Sequence, residues 1–200
     1  MRLGMDYRFT DDNVLSVVYT GQISNSHSNG QTTGTQTSTT RGKTESNLHN
    51  AKMDYQSSFG LSAGAEMTYY NVPGNEELHS VLNNEHIDAR YEDEQRINKW
   101  RFYLTQEQTL KNDWGLNYGL NYTTSVDNSF QYYYDTETGR FQPDKSLKAR
   151  RKEYTANGFA GFNKSFGDKL SVDASLATEY YHTNIWPDWM FYPTVNLNYT

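Results

Sequence analysis

The sequence predicts an all-β protein, an antiparallel transmembrane β-barrel or a segment of one, with about eight or nine long strands. Three observations predict it. Apolar residues recur with a period of two, short turns alternate with long polar connections, and a mean hydropathy of −0.92 coexists with 15% aromatic residues, tyrosine above all. Disordered chains are poor in aromatics, so polarity and aromaticity must be segregated rather than mixed. A barrel segregates them: one residue in two along each strand meets lipid, while the lumen and the connections stay polar.

The strands follow in chain order. Leu3, Met5, Tyr7 and Phe9 alternate with Gly4, Asp6 and Arg8, and a turn follows at Asp11-Asp12-Asn13. Weaker alternation marks 14–23 and 47–57, separated by a Ser/Thr/Gly/Asn/Gln-rich segment, 24–44, expected as a mobile loop tip. After a turn at Ser57-Ser58-Phe59-Gly60, Leu61, Ala63, Ala65, Met67 and Tyr69 oppose Ser62, Gly64, Glu66 and Thr68. A long polar connection, 71–96, leads into a strand at 97–109 and a turn at Lys111-Asn112-Asp113. The clearest alternation is 114–122, where Trp114, Leu116, Tyr118, Leu120 and Tyr122 oppose Gly115, Asn117, Gly119 and Asn121. An amphipathic helix would need apolar spacings of three and four, which this segment lacks. The third long connection, 126–150, precedes a strand at 151–164 and a turn at Gly167-Asp168-Lys169. In 170–180, Leu170, Val172, Ala174, Leu176 and Tyr180 oppose Ser171, Asp173, Ser175, Ala177 and Glu179. A brief connection near 181–189 leads to Val195, Leu197 and Tyr199, alternating with Thr194, Asn196 and Asn198.

One tight end and one elaborate end is the asymmetry of transmembrane barrels, with short periplasmic turns and long extracellular loops. Compact soluble domains seldom carry structureless loops beyond about 15 residues. Trp114 and Tyr122 share a face eight positions apart, about 26 Å along a strand, close to the height of a barrel's apolar band. Tyr69 and Tyr180 repeat the placement, which suits an interfacial girdle; the competing reading is the core of a soluble sandwich. No window holds the roughly 18 apolar residues of a membrane-spanning helix. The chain has no cysteine, so disulfides, zinc–thiolate clusters and thiol nucleophiles are excluded. Residues 1–10 lack the apolar core of a signal peptide, so either the chain is cytosolic or Met1 is not the natural start.

The stretch 151–200 resembles the barrel of outer-membrane proteins related to TonB-dependent receptors. The likeness rests on Glu153-Tyr154 opening a strand and on the turn Phe166-Gly167-Asp168-Lys169. It continues in the strand ending Glu179-Tyr180-Tyr181, and in Phe191-Tyr192-Pro193 leading to Val195–Tyr199. Weaker likeness extends back to Trp100 and thinly to the N-terminus. The resemblance implies a plug domain and a segment that engages TonB, neither visible in this sequence, so TonB is a partner only through parts outside it. Such barrels have 22 strands, and at two strands per 50 residues a whole one needs about 550 residues. The chain is therefore expected to be a single barrel segment, residues 1–200, of a larger barrel; a small complete barrel of the porin kind is the alternative.

On this reading Leu61, Met67, Tyr69, Trp114, Leu116, Tyr118, Leu120, Tyr122, Leu170, Val172, Leu176, Tyr180, Val195, Leu197 and Tyr199 face lipid. Asp54, Glu66, Arg101, Glu107, Asn117, Asn121, Asp173 and Glu179 face the lumen, to bind a plug or tune a pore. Two loop regions are candidates for ligand capture. One is the acidic stretch 75–94 with Glu76, His79, Glu85 and His86 beside Glu77, Asp88, Glu92, Asp93 and Glu94. It lacks the spacing of a calcium hand, and a solvated charged loop is expected rather than a metal site. The other is an aromatic patch of Tyr132, Tyr133 and Tyr134 with Phe130 and Phe141, suited to stacking on a sugar or an aromatic nutrient. It reads equally as a hairpin turning at Thr138-Gly139. The cations Lys145, Lys148, Arg150, Arg151 and Lys152 sit where a barrel would meet lipopolysaccharide phosphates, and solvated loop charge is the simpler reading. The chain is acidic overall, with a net charge of −6, so no nucleic-acid partner is expected. No HExxH or phosphate-loop pattern is present, and the GxSxG match Gly60-Leu61-Ser62-Ala63-Gly64 opens an alternating strand, where small residues argue for packing rather than a nucleophile elbow, so no cofactor, catalytic metal or enzymatic role is expected. Expected partners are outer-membrane lipid, lipopolysaccharide and a nutrient ligand, in the bacterial outer membrane. A soluble, adhesin-like β-rich binding module is the rival from another class.

Overall fold

The computed structural model of the chain describes residues 1–82, 85–167, 169–185 and 187–199. The predicted turn residue Asp168 lies outside them, as do positions 83 and 84 of the acidic stretch. Nine strands run in chain order: β1 (Arg2–Thr10), β2 (Asn13–Thr32), β3 (Gln36–Gln56), β4 (Leu61–Leu82), β5 (Glu85–Thr109), β6 (Trp114–Asp135), β7 (Leu147–Phe166), β8 (Leu170–His182) and β9 (Pro187–Tyr199). Each pairs antiparallel with its neighbours in sequence, giving one nine-stranded up-and-down sheet with β1 and β9 as its edges. Two single-turn 3-10 segments, Lys111–Asp113 and Pro143–Lys145, are the helical elements among the described residues. The fold is all-β, as the periodicity predicts.

The four short turns lie at one end of the sheet. Gly60 adopts φ 84°, and a Cβ there would collide with the Glu107 carbonyl oxygen, so the turn 57–60 is packed tightly onto β5. The turn before β6 takes the left-handed conformation at Asn112 and Asp113, φ 61° and 58°. At the opposite end the three long connections are present, but they are built as β hairpins. The 24–44 segment, expected as a mobile tip, pairs from Ser24↔Ser46 to Thr32↔Ser38. Residues 71–96 continue the β4–β5 ladder to Leu82↔Glu85, and 126–150 contributes the ends of β6 and β7 plus a turn. Gly139 in that turn has φ 65°, and Tyr134 bridges to Phe141, which is the hairpin reading of Thr138-Gly139. Strands β2 to β7 are 20 to 25 residues long, whereas about 10 cross a bilayer. The β3–β4 ladder lapses between Thr44↔Gly74 and Asn47↔Asn71. Pro73 lies in that gap, has no N–H to donate, and interrupts the ladder without shifting its register.

Register decides which residues share a face, because a one-residue slip would invert every side chain. The row Val17–Met53–Ala65–Phe102–Tyr122–Ala156–Tyr180–Trp189 crosses β2 to β9 on one face. All fifteen residues expected to face lipid lie on that apolar face, and all eight expected in the lumen lie on the other. No second layer covers the apolar face among the described residues. Leu120 is 66% exposed, Val195 69% and Leu197 68%. A sheet that is hydrophobic on one face must bury it against something, and here the chain itself does not supply the cover.

Candidate functional site

The polar face carries one row of polar side chains in two hydrogen-bonded groups, joined by Arg101 over the Tyr103 ring. Asp54, Gly64, Tyr103, Asn121, Asn157 and Glu179 stand directly opposite one another across β3 to β8. The Tyr103 hydroxyl donates to the Asp54 carboxylate, reaching from β5 across the whole of β4. Gly64 makes that reach possible, since a Cβ there would lie 2.5 Å from the Tyr103 hydroxyl and ring edge. Lys52 pairs with Asp54 at 2.8 Å, so the carboxylate is held from both sides. Arg101 lies 5.5 Å over the Tyr103 ring and donates from Nε to Asn121 Oδ1 at 3.0 Å. Asn121 donates to Asn157 Oδ1 at 3.3 Å, and Asn157 donates to Glu179. One row higher, Asn50 donates to Glu66 at 2.8 Å and to Thr68 at 2.9 Å. The arrangement fixes donors and acceptors in a plane, a surface suited to a polar partner or a hydrated passage.

Five of the expected lumen residues, Asp54, Glu66, Arg101, Asn121 and Glu179, enter this network. Glu107, Asn117 and Asp173 lie nearer the turns on the same face. Tyr103, Asn157, Lys52 and Asn50 complete it; Asn157, Lys52 and Asn50 are polar residues in step with the predicted set, whereas Tyr103 escapes a reading based on polarity. Tyr103 sits in the apolar-looking run 97–109, but its odd position pairs it with Arg101 and Thr105, the usable signal.

On the hairpins, the patch expected from Tyr132, Tyr133 and Tyr134 is divided between the faces, because adjacent strand residues point oppositely. Tyr132 and Tyr134 pack on Phe130 and Phe141, on the continuation of the apolar face. Tyr133 meets Tyr91 edge-on at 5.2 Å on the polar side, with the Lys145 ammonium 4.6 Å over its ring. Burial raises the Tyr91 hydroxyl pKa, and Tyr133 and Glu76 add to the effect. Tyr91, Glu76, Leu78, Asp93 and Gln131 line a shallow cavity of about 340 Å³. The acidic stretch does not gather: His79 pairs with Asp88 at 3.0 Å, Glu76 lies on the opposite face, and Glu85 and His86 sit near the hairpin tip. Among the described residues no group of three or more His, Asp or Glu side chains could hold a metal ion.

Aromatic rings band the apolar face at two levels. Nearer the hairpins, Tyr19 and His49 share a 2.6 Å hydrogen bond, Trp100 stacks on Phe102, Tyr154 on His182 at 4.4 Å, and Tyr180 packs on Trp189 at 4.9 Å. Nearer the turns stand Phe9, Trp114, Phe162, Phe166 and Tyr199, with the Lys164 ammonium over Trp114.

No protein-family model matches the sequence, and no curated protein sequence matches it either. Solved structures do resemble the fold. The structure of the RagAB peptide transporter matches 95% of this chain and 29% of its own, at 12% identity and a TM-score of 0.62. The alcaligin outer-membrane receptor FauA from Bordetella pertussis matches 100% of this chain and 32% of its own, at 14% identity and a TM-score of 0.55. The chain therefore spans about a third of the length of the proteins it resembles, and the likeness is one of outer-membrane β-barrel fold.

Proposed function

We propose that the chain is a wall of an outer-membrane barrel belonging to a TonB-dependent receptor-like transporter that takes up a bulky nutrient. The observation that carries the reading is the single sheet with an uncovered, doubly banded apolar face backed by a polar hydrogen-bonded face. Lipid is the solvent that such a face fits, and aromatic bands mark the two membrane–water boundaries. The polar row then faces the lumen, where a plug supplied by other parts of the protein would meet its carboxylates and amides. The hairpins stand beyond the membrane and offer Tyr91, Tyr133, Glu76 and Asp93 to a ligand. TonB would act through that plug region and not through this wall.

Cysteines placed singly at Leu116 and Asn117 test the membrane assignment. The first should react with lipid-phase probes and the second with aqueous ones; equal labelling would remove the bilayer from the argument. Nutrient accumulation by cells with and without the gene, with a protonophore added, tests the transport reading. Uptake that survives loss of the proton gradient would favour a passive pore instead.

A further inference from the structure

Three cations stand on one face of β7 with no carboxylate answering them. Lys148, Arg150 and Lys152 alternate along the strand on the continuation of the apolar face, opposite Phe130, Asn128 and Val126 of β6. None of the three belongs to an ion pair among the described residues. Three other cations on that side are answered two residues along their own strand, Lys43 by Glu45 at 2.7 Å, Arg90 by Glu92 at 2.6 Å and Arg96 by Glu94 at 2.5 Å, while Lys164 lies over the Trp114 ring and Arg41 stands singly on β3. The acid next to the trio along β7, Glu153, has the wrong parity, pointing to the polar face and binding Arg151 at 3.3 Å, and Glu94, in the Lys148–Phe130 row, is taken by Arg96. Lys145 likewise turns to the polar side, over Tyr133. The basic run is thus sorted into two compensated or ring-bound cations on one face and three free ones on the other.

Their height is equally specific. Two residues beyond Lys152 on the same face is Tyr154, stacked on His182 in the upper aromatic band. The three charges therefore begin about 7 Å above that band and extend about 13 Å further, the level at which lipid headgroups lie against a barrel. Below the band the same face of β7 carries Ala156, Gly158 and Ala160, a low track between Leu120 on β6 and Leu176 on β8, which are 66% and 51% exposed.

We infer that Lys148, Arg150 and Lys152 form a binding site for the phosphorylated headgroup of a membrane lipid, whose acyl chains lie along the β7 track. Cationic side chains make their strongest contacts with phosphate oxygens, and Arg150 can engage two at once. The inference rests on the membrane placement proposed above, which the labelling at Leu116 and Asn117 tests separately.

The test titrates the whole detergent-solubilised protein with bisphosphorylated lipid A, with the same lipid after dephosphorylation, and with inorganic phosphate. The protein should prefer the phosphorylated lipid to both others. K148Q/R150Q/K152Q should weaken that binding about a hundredfold, the product of three near-surface cation contacts. K145Q/R151Q, which removes the same kind of charge from the opposite face, should leave it unchanged. Equal binding of the dephosphorylated lipid, equal binding of inorganic phosphate, or an unaffected triple variant would each overturn the site. Heat-modifiable gel mobility checks that the triple variant is folded, and the comparison of lipids on the unaltered protein decides the matter if it is not.

Discussion

Gly64→Ala isolates the linchpin of the polar row. The added Cβ would sit 2.5 Å from the Tyr103 hydroxyl, about 1 Å inside a relaxed van der Waals contact. The ring must swing away, and its hydrogen bond to Asp54 and its place under Arg101 are lost together. A hydrogen bond to a charged group contributes about 1.5–3 kcal/mol, while replacing glycine in a strand returns about 0.5–1 kcal/mol. The net expectation is a loss of about 1–2 kcal/mol. Urea unfolding of the protein refolded in lipid vesicles, followed by tryptophan fluorescence and gel mobility, measures it. Tyr103→Phe should cost a similar amount without a clash, and the double variant should fall short of the sum by about 1 kcal/mol, because both changes break one contact. If Gly64→Ala is neutral or stabilising, or the two effects simply add, the row is not a coupled unit and the reasoning fails.

Leu120→Arg should destabilise the vesicle-inserted protein by about 2–4 kcal/mol, the cost of a cation at the lipid midplane. Leu120 is so exposed that the same change on a water-facing sheet would shift stability by no more than about 0.5 kcal/mol, so the size of the effect names the solvent. Asp135 accepts from the Thr138 backbone N–H at 2.9 Å and from its hydroxyl at 2.8 Å, which hold its pKa below the ordinary carboxylate value. A depressed folded-state pKa stabilises above the unfolded value and ceases to do so as pH falls through the folded one. NMR shifts of the 135–140 turn should therefore move toward those of Asp135→Asn only below about pH 4; movement near neutrality would contradict the hydrogen-bond assignment.

The period of two made the turn-proximal part of the strands legible, most clearly where an apolar side chain regularly alternates with a polar one. Trp114 to Tyr122 and Leu170 to Tyr180 are the clearest cases, and register puts their apolar residues on one shared face. Beyond the aromatic band the signal vanishes for a physical reason. Water bathes both faces of the 24–44 hairpin, so Ser, Thr, Asn and Gln serve on either side and no alternation of polarity survives. The ladder itself is made by backbone groups, which leave no mark in side-chain polarity. The polar row was half legible. Charges such as Asp54 and Glu179 announce themselves, whereas Tyr103 passes for an apolar strand residue until its partner two strands away is known.

The β4–β5 ladder runs without a shift from Leu61↔Gln106 to Leu82↔Glu85. Mechanically it is one beam, flanked along its length by β3, which stays paired with β4 up to Gln36↔Leu82, and by β6 up to Ala89↔Asp135. A load on its tip is carried by the paired backbone down to Glu66 and Arg101, not dissipated in a slack loop. The hairpin around Glu85 and His86 and the polar row at Glu66 and Arg101 thus belong to one unbroken ladder.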